Sequence, residues 1–121
     1  MKKILVVDDN PDLLYVVKLG LERIDETYKV SEVNGGKECF ELLRKGDMPD
    51  IILLDIMMPE MNGWKVLKRL KENERLENIP VIIISARKDK VAKNAGGFYA
   101  EDYIEKPFTI NDVKETINKI L

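Results

Sequence analysis

Ile51-Ile52-Leu53-Leu54-Asp55 is a short aliphatic run that ends in a carboxylate. Two similar runs occur elsewhere in the chain, Ile4-Leu5-Val6-Val7 and Val81-Ile82-Ile83-Ile84. Because they are short, β-branched and nearly continuous, all three are typical of strands that are buried on both faces of a parallel sheet. Two weaker strands are predicted at residues 28–33 and 102–105, where polar alternation and flanking acids suit the edges of a sheet.

Helical patterns fill the spaces between these strands. Asn10-Pro11 supplies a cap and a proline at the first helical position, and Thr109 with Asp112 comes close to a capping box. Apolar residues at helical spacing mark four helices, with anchors at Leu14, Val17, Leu21 and Ile24; at Cys39, Phe40 and Leu43; at Val66, Leu67 and Leu70; and at Ile110, Val113, Ile117 and Ile120. After Lys88 we expect only a short or frayed helix, since Gly96-Gly97 interrupts it.

This alternation of strands and helices predicts an α/β fold with a parallel sheet and right-handed crossovers. A length of 121 residues suits one domain, so we expect a single domain over residues 1–121. The first, third and fourth strands are predicted to be buried, and the second and fifth to lie at the edges. This pattern fits a doubly wound five-stranded sheet of order 2-1-3-4-5, which is a known order for such sheets.

Composition narrows the functional classes. The net charge is −2 and the pI near 5.3, whereas nucleic-acid-binding domains commonly have a pI above about 9. No apolar run approaches the roughly 18 residues expected of a membrane span. Cys39, the single cysteine, cannot form an internal disulfide, so we expect a reducing cytoplasm. The chain has no histidine, which excludes any mechanism that needs its own imidazole.

Polar residues collect where the predicted strands end. Asp8 and Asp9 follow the first strand, Asp55 ends the third, Ser85 ends the fourth, and the fifth runs into Lys106. The carboxyl ends of parallel strands share one edge of the sheet, which is also where ligands bind in such folds. We therefore expect these five side chains to converge on one rim.

The chemistry of this rim follows from its charges. Three close carboxylates repel one another unless a cation joins them, and a hard divalent ion with oxygen ligands resolves the conflict. Mg²⁺ suits such a site because it keeps several waters and often takes a phosphate oxygen. Lys106 adds a positive charge and Ser85 a hydroxyl donor, so the rim holds what is needed to form an aspartyl phosphate.

The sequence strongly resembles the response-regulator receiver family over essentially its full length, which implies a flavodoxin-like (βα)5 domain. Five motifs carry the resemblance: Val6-Val7-Asp8-Asp9-Asn10, Leu53-Leu54-Asp55-Ile56-Met57-Met58-Pro59, Met61-Asn62-Gly63, Ser85-Ala86 and Lys106-Pro107-Phe108. Each motif alone is weak, but all five in order at strand ends are highly specific.

The resemblance implies a role for each site residue. Asp55 would be the phosphoacceptor, and Mg²⁺ would be held by Asp9 directly, by Asp8 directly or through water, by Asp55 and by the backbone carbonyl of Met57. Ser85 would be the switch hydroxyl, Tyr103 the aromatic that turns inward when Ser85 moves, and Lys106-Pro107 a cis peptide. The side chains of Met57 and Met58 are expected to pack in the loop.

Some features depart from the family pattern. Ser85 stands where threonine is commoner, the region between Ser85 and Lys106 looks slightly shortened, and Tyr99 occupies the place of a helix-ending glycine. Family members often tune phosphoryl lifetime with the residues two past the phosphoacceptor and two past the switch hydroxyl. These are Met57 and Arg87, and methionine cannot orient a water by hydrogen bonding, so a long lifetime is expected.

The implied function is a two-component signalling switch that is not an enzyme, although it assists its own phosphorylation and dephosphorylation. Its partners would be a sensor histidine kinase or histidine phosphotransfer protein and an unknown downstream protein target, with no nucleic acid bound through this domain and no membrane. The chain would be a monomer or a phosphorylation-dependent dimer. It would be either a stand-alone regulator or the N-terminal part of a longer one.

Other readings remain open at this point. An aspartate-nucleophile phosphohydrolase of the haloacid-dehalogenase type uses similar logic, but such enzymes typically carry a second acid where Met57 stands. A flavin or nucleotide carrier would need a glycine-rich loop in place of Asp8-Asp9. A degenerate receiver would lack part of the acid set. Asp8-Asp9 alone would suit a solvated turn, and Tyr103 alone an ordinary edge-strand aromatic.

Overall fold

A computed structural model describes residues 1–86 and 100–121. Its five strands are β1 (Lys2–Val7), β2 (Tyr28–Val33), β3 (Ile51–Asp55), β4 (Val81–Ser85) and β5 (Asp102–Glu105). Four helices lie within the described residues: α1 (Pro11–Ile24), α2 (Gly36–Arg44), α3 (Gly63–Lys71) and α4 (Ile110–Ile120). The helix expected after Lys88, and with it Arg87 and Tyr99, lies outside the described residues.

All five strands are parallel and form one sheet in the order β2-β1-β3-β4-β5, so the predicted order and the predicted edge strands are confirmed. Each of the three aliphatic runs falls within a central strand, and β1 begins two residues before its run, at Lys2. β3 and β4 are buried along their whole length, up to and including Asp55 and Ser85.

The sheet is covered by helices on both faces. Alternate side chains of the central strands point to opposite faces, which divides the core in two. One half packs Leu5, Ile52, Leu54, Val81 and Ile83 against α2 and α3, and the other packs Ile4, Val6, Leu53, Ile82 and Ile84 against α1 and α4. Truncating one such buried leucine to alanine lowers the free energy of unfolding by about 2–5 kcal/mol. Packing on both faces therefore holds the central strands, and with them the polar residues at their ends, in place.

The helix ends follow the local sequence signals. The Asn10 side chain accepts hydrogen bonds from the backbone N–H groups of Asp12 and Leu13, and Pro11 is the first residue of α1. Thr109 and Asp112 form a reciprocal capping box at α4, as their spacing predicted. Asn62 caps α3 by accepting from the N–H of Lys65. None of the helices that the structure describes combines the length and apolar character needed to cross a membrane.

Candidate functional site

The five predicted site residues all lie at the carboxyl edge of the sheet. Asp8 and Asp9 directly follow β1, Asp55 and Ser85 are the last residues of β3 and β4, and Lys106 directly follows β5. The strands are parallel and in register, so chain segments that are remote in sequence end side by side. The expected convergence is therefore observed for the three acids and the lysine.

Three carboxylates form the floor of the site. Oxygen atoms of Asp8, Asp9 and Asp55 lie within 4.8 Å of one another. Asp8 and Asp55 are almost wholly buried, at 1% and 2% exposure, while Asp9 faces solvent. The backbone N–H of Asn10 donates to Oδ1 of Asp8 at 2.9 Å and orients this carboxylate.

Burial without enough compensation makes the charged acids unfavourable. The pKa of Asp8 is raised from 3.8 to about 6, chiefly by burial and with a contribution from the charges of Asp55 and Asp9, while the Asn10 N–H and Lys106 act in the opposite direction. Burial also raises the pKa of Asp55, although Lys106 partly offsets this through its hydrogen bond and its charge. The protein thus holds an excess of negative charge in a nearly dry position.

The donor set fits a hard divalent cation such as Mg²⁺. In the part of the chain that the structure describes, Oδ2 of Asp8 is a buried side-chain oxygen with no hydrogen-bond partner. Such an orphaned atom is costly unless a ligand satisfies it, and a cation shared with Asp9 and Asp55 would do so. Met57, whose backbone carbonyl is the further ligand expected from the sequence, lies two residues past Asp55 in the loop that follows β3.

Lys106 supplies the positive side of the site. Its ammonium donates to Oδ1 of Asp55 at 2.9 Å, and its backbone N–H donates to the carbonyl oxygen of Ser85, also at 2.9 Å. The Lys106–Pro107 bond is cis, as the motif predicted. Because Asp55 is buried and Lys106 is about one-third exposed, the lysine reaches the acid from the solvent side.

Ser85 ends β4, and Tyr103 lies in the neighbouring strand β5, where it pairs with Ile83. Ser85 is 2% exposed and pairs in register with Glu105, the residue before Lys106. Tyr103 is half-buried and packs against the core half beneath α2 and α3. Their expected roles as switch hydroxyl and switch aromatic stay predictions.

The loop after β3 contains one wrong expectation and one missed residue. Met58 is buried, as expected, but the side chain of Met57 is 60% exposed, so the packing prediction is wrong for Met57. Its two neighbours, Ile56 and Met58, are buried, so the exposure is confined to the Met57 side chain. Gly63 is predicted only as part of the Met61-Asn62-Gly63 motif, yet its backbone lies against that of Asp55. Its place in this motif, shortly after Asp55, is the signal that the sequence offers.

These features define an α/β domain whose acid pocket and lysine surround one buried aspartate. The model of the response regulator receiver domain family matches residues 4–118. The chain belongs to the response regulator receiver family, and such domains are signalling switches rather than enzymes. This membership argues against the phosphohydrolase considered from the sequence.

Curated relatives agree with this assignment. The chain is 38% identical over its full length to the response regulator ArlR of Staphylococcus saprophyticus, of which the match covers 53%. It is 34% identical over its full length to the protein PilH of Pseudomonas aeruginosa, of which the match covers 98%. The chain thus spans about half the length of ArlR and 42% of the response regulator GtcR of Aneurinibacillus migulanus, but nearly all of PilH.

Solved structures show the same fold. The N-terminal domain of a response regulator receiver protein from Methanoculleus marisnigri is 39% identical, with a TM-score of 0.76 and coverage of 100% of this chain and 97% of that one. The signal receiver domain of a histidine kinase from Syntrophus aciditrophicus is 31% identical, with a TM-score of 0.88 and coverage of 100% and 90%.

Proposed function

We propose that residues 1–121 form one cytoplasmic receiver domain that is switched by phosphorylation of Asp55 in a two-component system. The observation that carries the proposal is the 2.9 Å contact between the Lys106 ammonium and the Asp55 carboxylate, beside the acids Asp8 and Asp9. A buried nucleophilic carboxylate, a fixed cation and a place for a second cation are what an aspartyl phosphate requires.

The chemical step would be transfer from a phosphohistidine. An oxygen of Asp55 attacks the phosphorus, the P–N bond breaks, and the donor's imidazole keeps the bond's electron pair. Lys106 holds its positive charge next to the attacking carboxylate and can follow the oxygens of the arriving group. Mg²⁺ bound by Asp8, Asp9, Asp55 and the Met57 carbonyl would offset further negative charge on the transferring phosphoryl group.

Residues 1–121 contain no histidine, so the phosphohistidine of the donor lies outside them. Its phosphohistidine has to reach Asp55, so its surface has to cover residues beside the pocket. An open, mostly apolar groove of about 450 Å³ lies there, lined in part by Leu13, Val16, Phe108 and Lys106. This groove suits a helix of a sensor histidine kinase or a histidine phosphotransfer protein.

The output would be a shift between two conformations. The Ser85 hydroxyl would donate to a phosphoryl oxygen on Asp55, and Tyr103 would move into the space that Ser85 vacates. The face that changes includes β5 and α4, which carry or flank Tyr103 and Lys106. A downstream protein target, or a second copy of the chain, would read this face.

Acetyl phosphate with Mg²⁺ tests the phosphoacceptor directly. Intact mass should show one added phosphoryl group on the wild type and none on Asp55→Asn, and chelation of Mg²⁺ should abolish the addition. Label of equal extent on Asp55→Asn would contradict the proposal.

A paired variant tests the donor surface. Val16→Asp places a charge in the groove, while Tyr15→Asp places the same charge on an exposed position of α1 outside it. With a kinase core that phosphorylates the wild type, Val16→Asp should be phosphorylated more slowly than Tyr15→Asp, and both should react equally with acetyl phosphate. Equal rates from the kinase would argue against this groove.

A further inference from the structure

Gly63 is the first residue of α3, and its backbone touches the end of β3. A Cβ atom placed on Gly63 would overlap the carbonyl oxygen of Asp55 and lie 2.8 Å from the Cα of Ile56 and 3.0 Å from the carbonyl carbon of Asp55. All three are backbone atoms, which cannot rotate away as a side chain can. The φ angle of Gly63 lies outside the left-handed region, so the position needs glycine for space and not for its conformation.

Other glycines of the described residues differ in what surrounds them. A Cβ on Gly20 would meet the side chain of Ile110, and one on Gly36 would meet the side chains of Met61 and Val66. Gly46 has open space around it. A side chain can yield by a few tenths of an ångström, whereas a clash at Gly63 has to move either α3 or the strand end that carries Asp55.

The same contact closes the loop between β3 and α3. The Gly63 N–H donates to the carbonyl oxygen of Ile56 at 2.9 Å, and the Met58 N–H donates to the same oxygen at 3.1 Å. Met57 lies inside the loop that these bonds close. The approach of α3 to Asp55 therefore fixes the path of the Met57 backbone relative to the Asp55 side chain.

We propose that Gly63 is a positioning residue for the cation site: by admitting α3 to contact with the Asp55 backbone, it holds the Met57 carbonyl where it can join Asp55 in binding Mg²⁺. This rests on the proposed function. Gly63 touches neither the cation nor the phosphoryl group and acts through the loop geometry. Any larger residue displaces the loop and lowers Mg²⁺ affinity.

Binding and loop closure are coupled in both directions. If the closed loop favours Mg²⁺, then Mg²⁺ must favour the closed loop by the same free energy. The Gly63 N–H should consequently exchange with solvent more slowly when Mg²⁺ is bound, because its bond to Ile56 opens less often. The Glu72 N–H, which donates to Lys68 at the far end of α3, should not respond.

Calorimetric titration with Mg²⁺ alone tests the variant Gly63→Ala against Leu70→Ala. Leu70 is fully buried at the other end of α3, so its truncation destabilises the same helix without touching the loop. We expect Gly63→Ala to lose affinity for Mg²⁺ by about tenfold or more, equivalent to about 1.4 kcal/mol, while Leu70→Ala binds like the wild type. Thermal unfolding of both variants measures the loss of stability separately.

The outcomes are distinguishable. If Gly63→Ala binds Mg²⁺ as tightly as the wild type, the positioning role alone is overturned. The same holds if both variants lose Mg²⁺ affinity in proportion to their loss of stability. A wild type that binds no Mg²⁺ would overturn both this role and the proposed function. If Gly63→Ala does not fold, hydrogen exchange of the wild type decides: an unchanged Gly63 N–H on addition of saturating Mg²⁺ overturns the role, and selective slowing supports it.

Discussion

The Lys106 ammonium donates a 2.9 Å hydrogen bond to the Asp55 carboxylate across a sequence separation of 51 residues. Asp55 is 3% exposed at its side chain and Lys106 is 35% exposed. A buried acid is thereby tied to a lysine that reaches it from solvent. Among the carboxylates in residues 1–86 and 100–121, Asp55 combines near-complete burial with a direct lysine partner.

Lys106→Met should slow phosphorylation of Asp55 by acetyl phosphate by at least about tenfold. The cation that offsets the charge on the phosphoryl oxygens is lost, and fixed charges at such positions commonly contribute factors of this size or more. The rate is followed by intact mass. Lys71→Met is the control, because Lys71 pairs with Glu101 away from the site. A rate in Lys106→Met equal to that of the control would refute the role given to Lys106.

Asp8→Asn should stabilise the fold in Mg²⁺-free buffer and abolish Mg²⁺ binding. The raised pKa of Asp8, about 6 against 3.8, means that the folded state disfavours its charged form. Protonated Asp8 therefore contributes to the free energy of unfolding. This contribution is fully present below pH 3.8 and is lost as the pH rises through about 6. At neutral pH the variant should be more stable than the wild type by about 1–3 kcal/mol.

Urea unfolding with a chelator present, at mildly acidic and at neutral pH, measures this effect. The exposed acid Asp12 in the first turn of α1 provides the control variant Asp12→Asn, which should show no such gain. A wild type whose stability does not fall between the two pH values would contradict the assigned cause.

Met57→Asn should shorten the lifetime of the phosphoryl group. The Met57 side chain, two residues past Asp55, is exposed and cannot orient an attacking water by hydrogen bonding, whereas asparagine can. Decay is measured by intact mass after removal of acetyl phosphate. Met57→Leu is the matched control and should decay like the wild type. The prediction fails if both variants decay at the same rate.

Cys39 should resist alkylation in the folded protein. It is wholly buried in the core half beneath α2 and α3, and burial raises the pKa of its thiol to about 12. The reactive thiolate is therefore scarce as well as inaccessible. Iodoacetamide at mildly alkaline pH should modify Cys39 completely in denaturing urea and only slowly without it. Similar rates in both conditions would indicate that the core opens readily.

The sequence by itself determined the sheet and the location of the site. The aliphatic runs at 4–7, 51–54 and 81–84 mark central strands because a strand that is buried on both faces is expected to be nearly continuously apolar. Parallel strands end at a common edge, so the polar residues that follow each run had to lie near one another. Local signals also sufficed for the caps at Asn10 and Thr109, because a cap depends on residues within one turn of the helix.

Only the tertiary structure decided the details that depend on distance between remote segments. The 4.8 Å grouping of the three acids, the unpartnered oxygen of Asp8 and the exposure of Met57 follow from how each strand end is packed, which periodicity does not encode. The contact of Gly63 with the Asp55 backbone is of the same kind. A sequence motif records that glycine stands there, but the requirement for it arises from two backbones meeting in space.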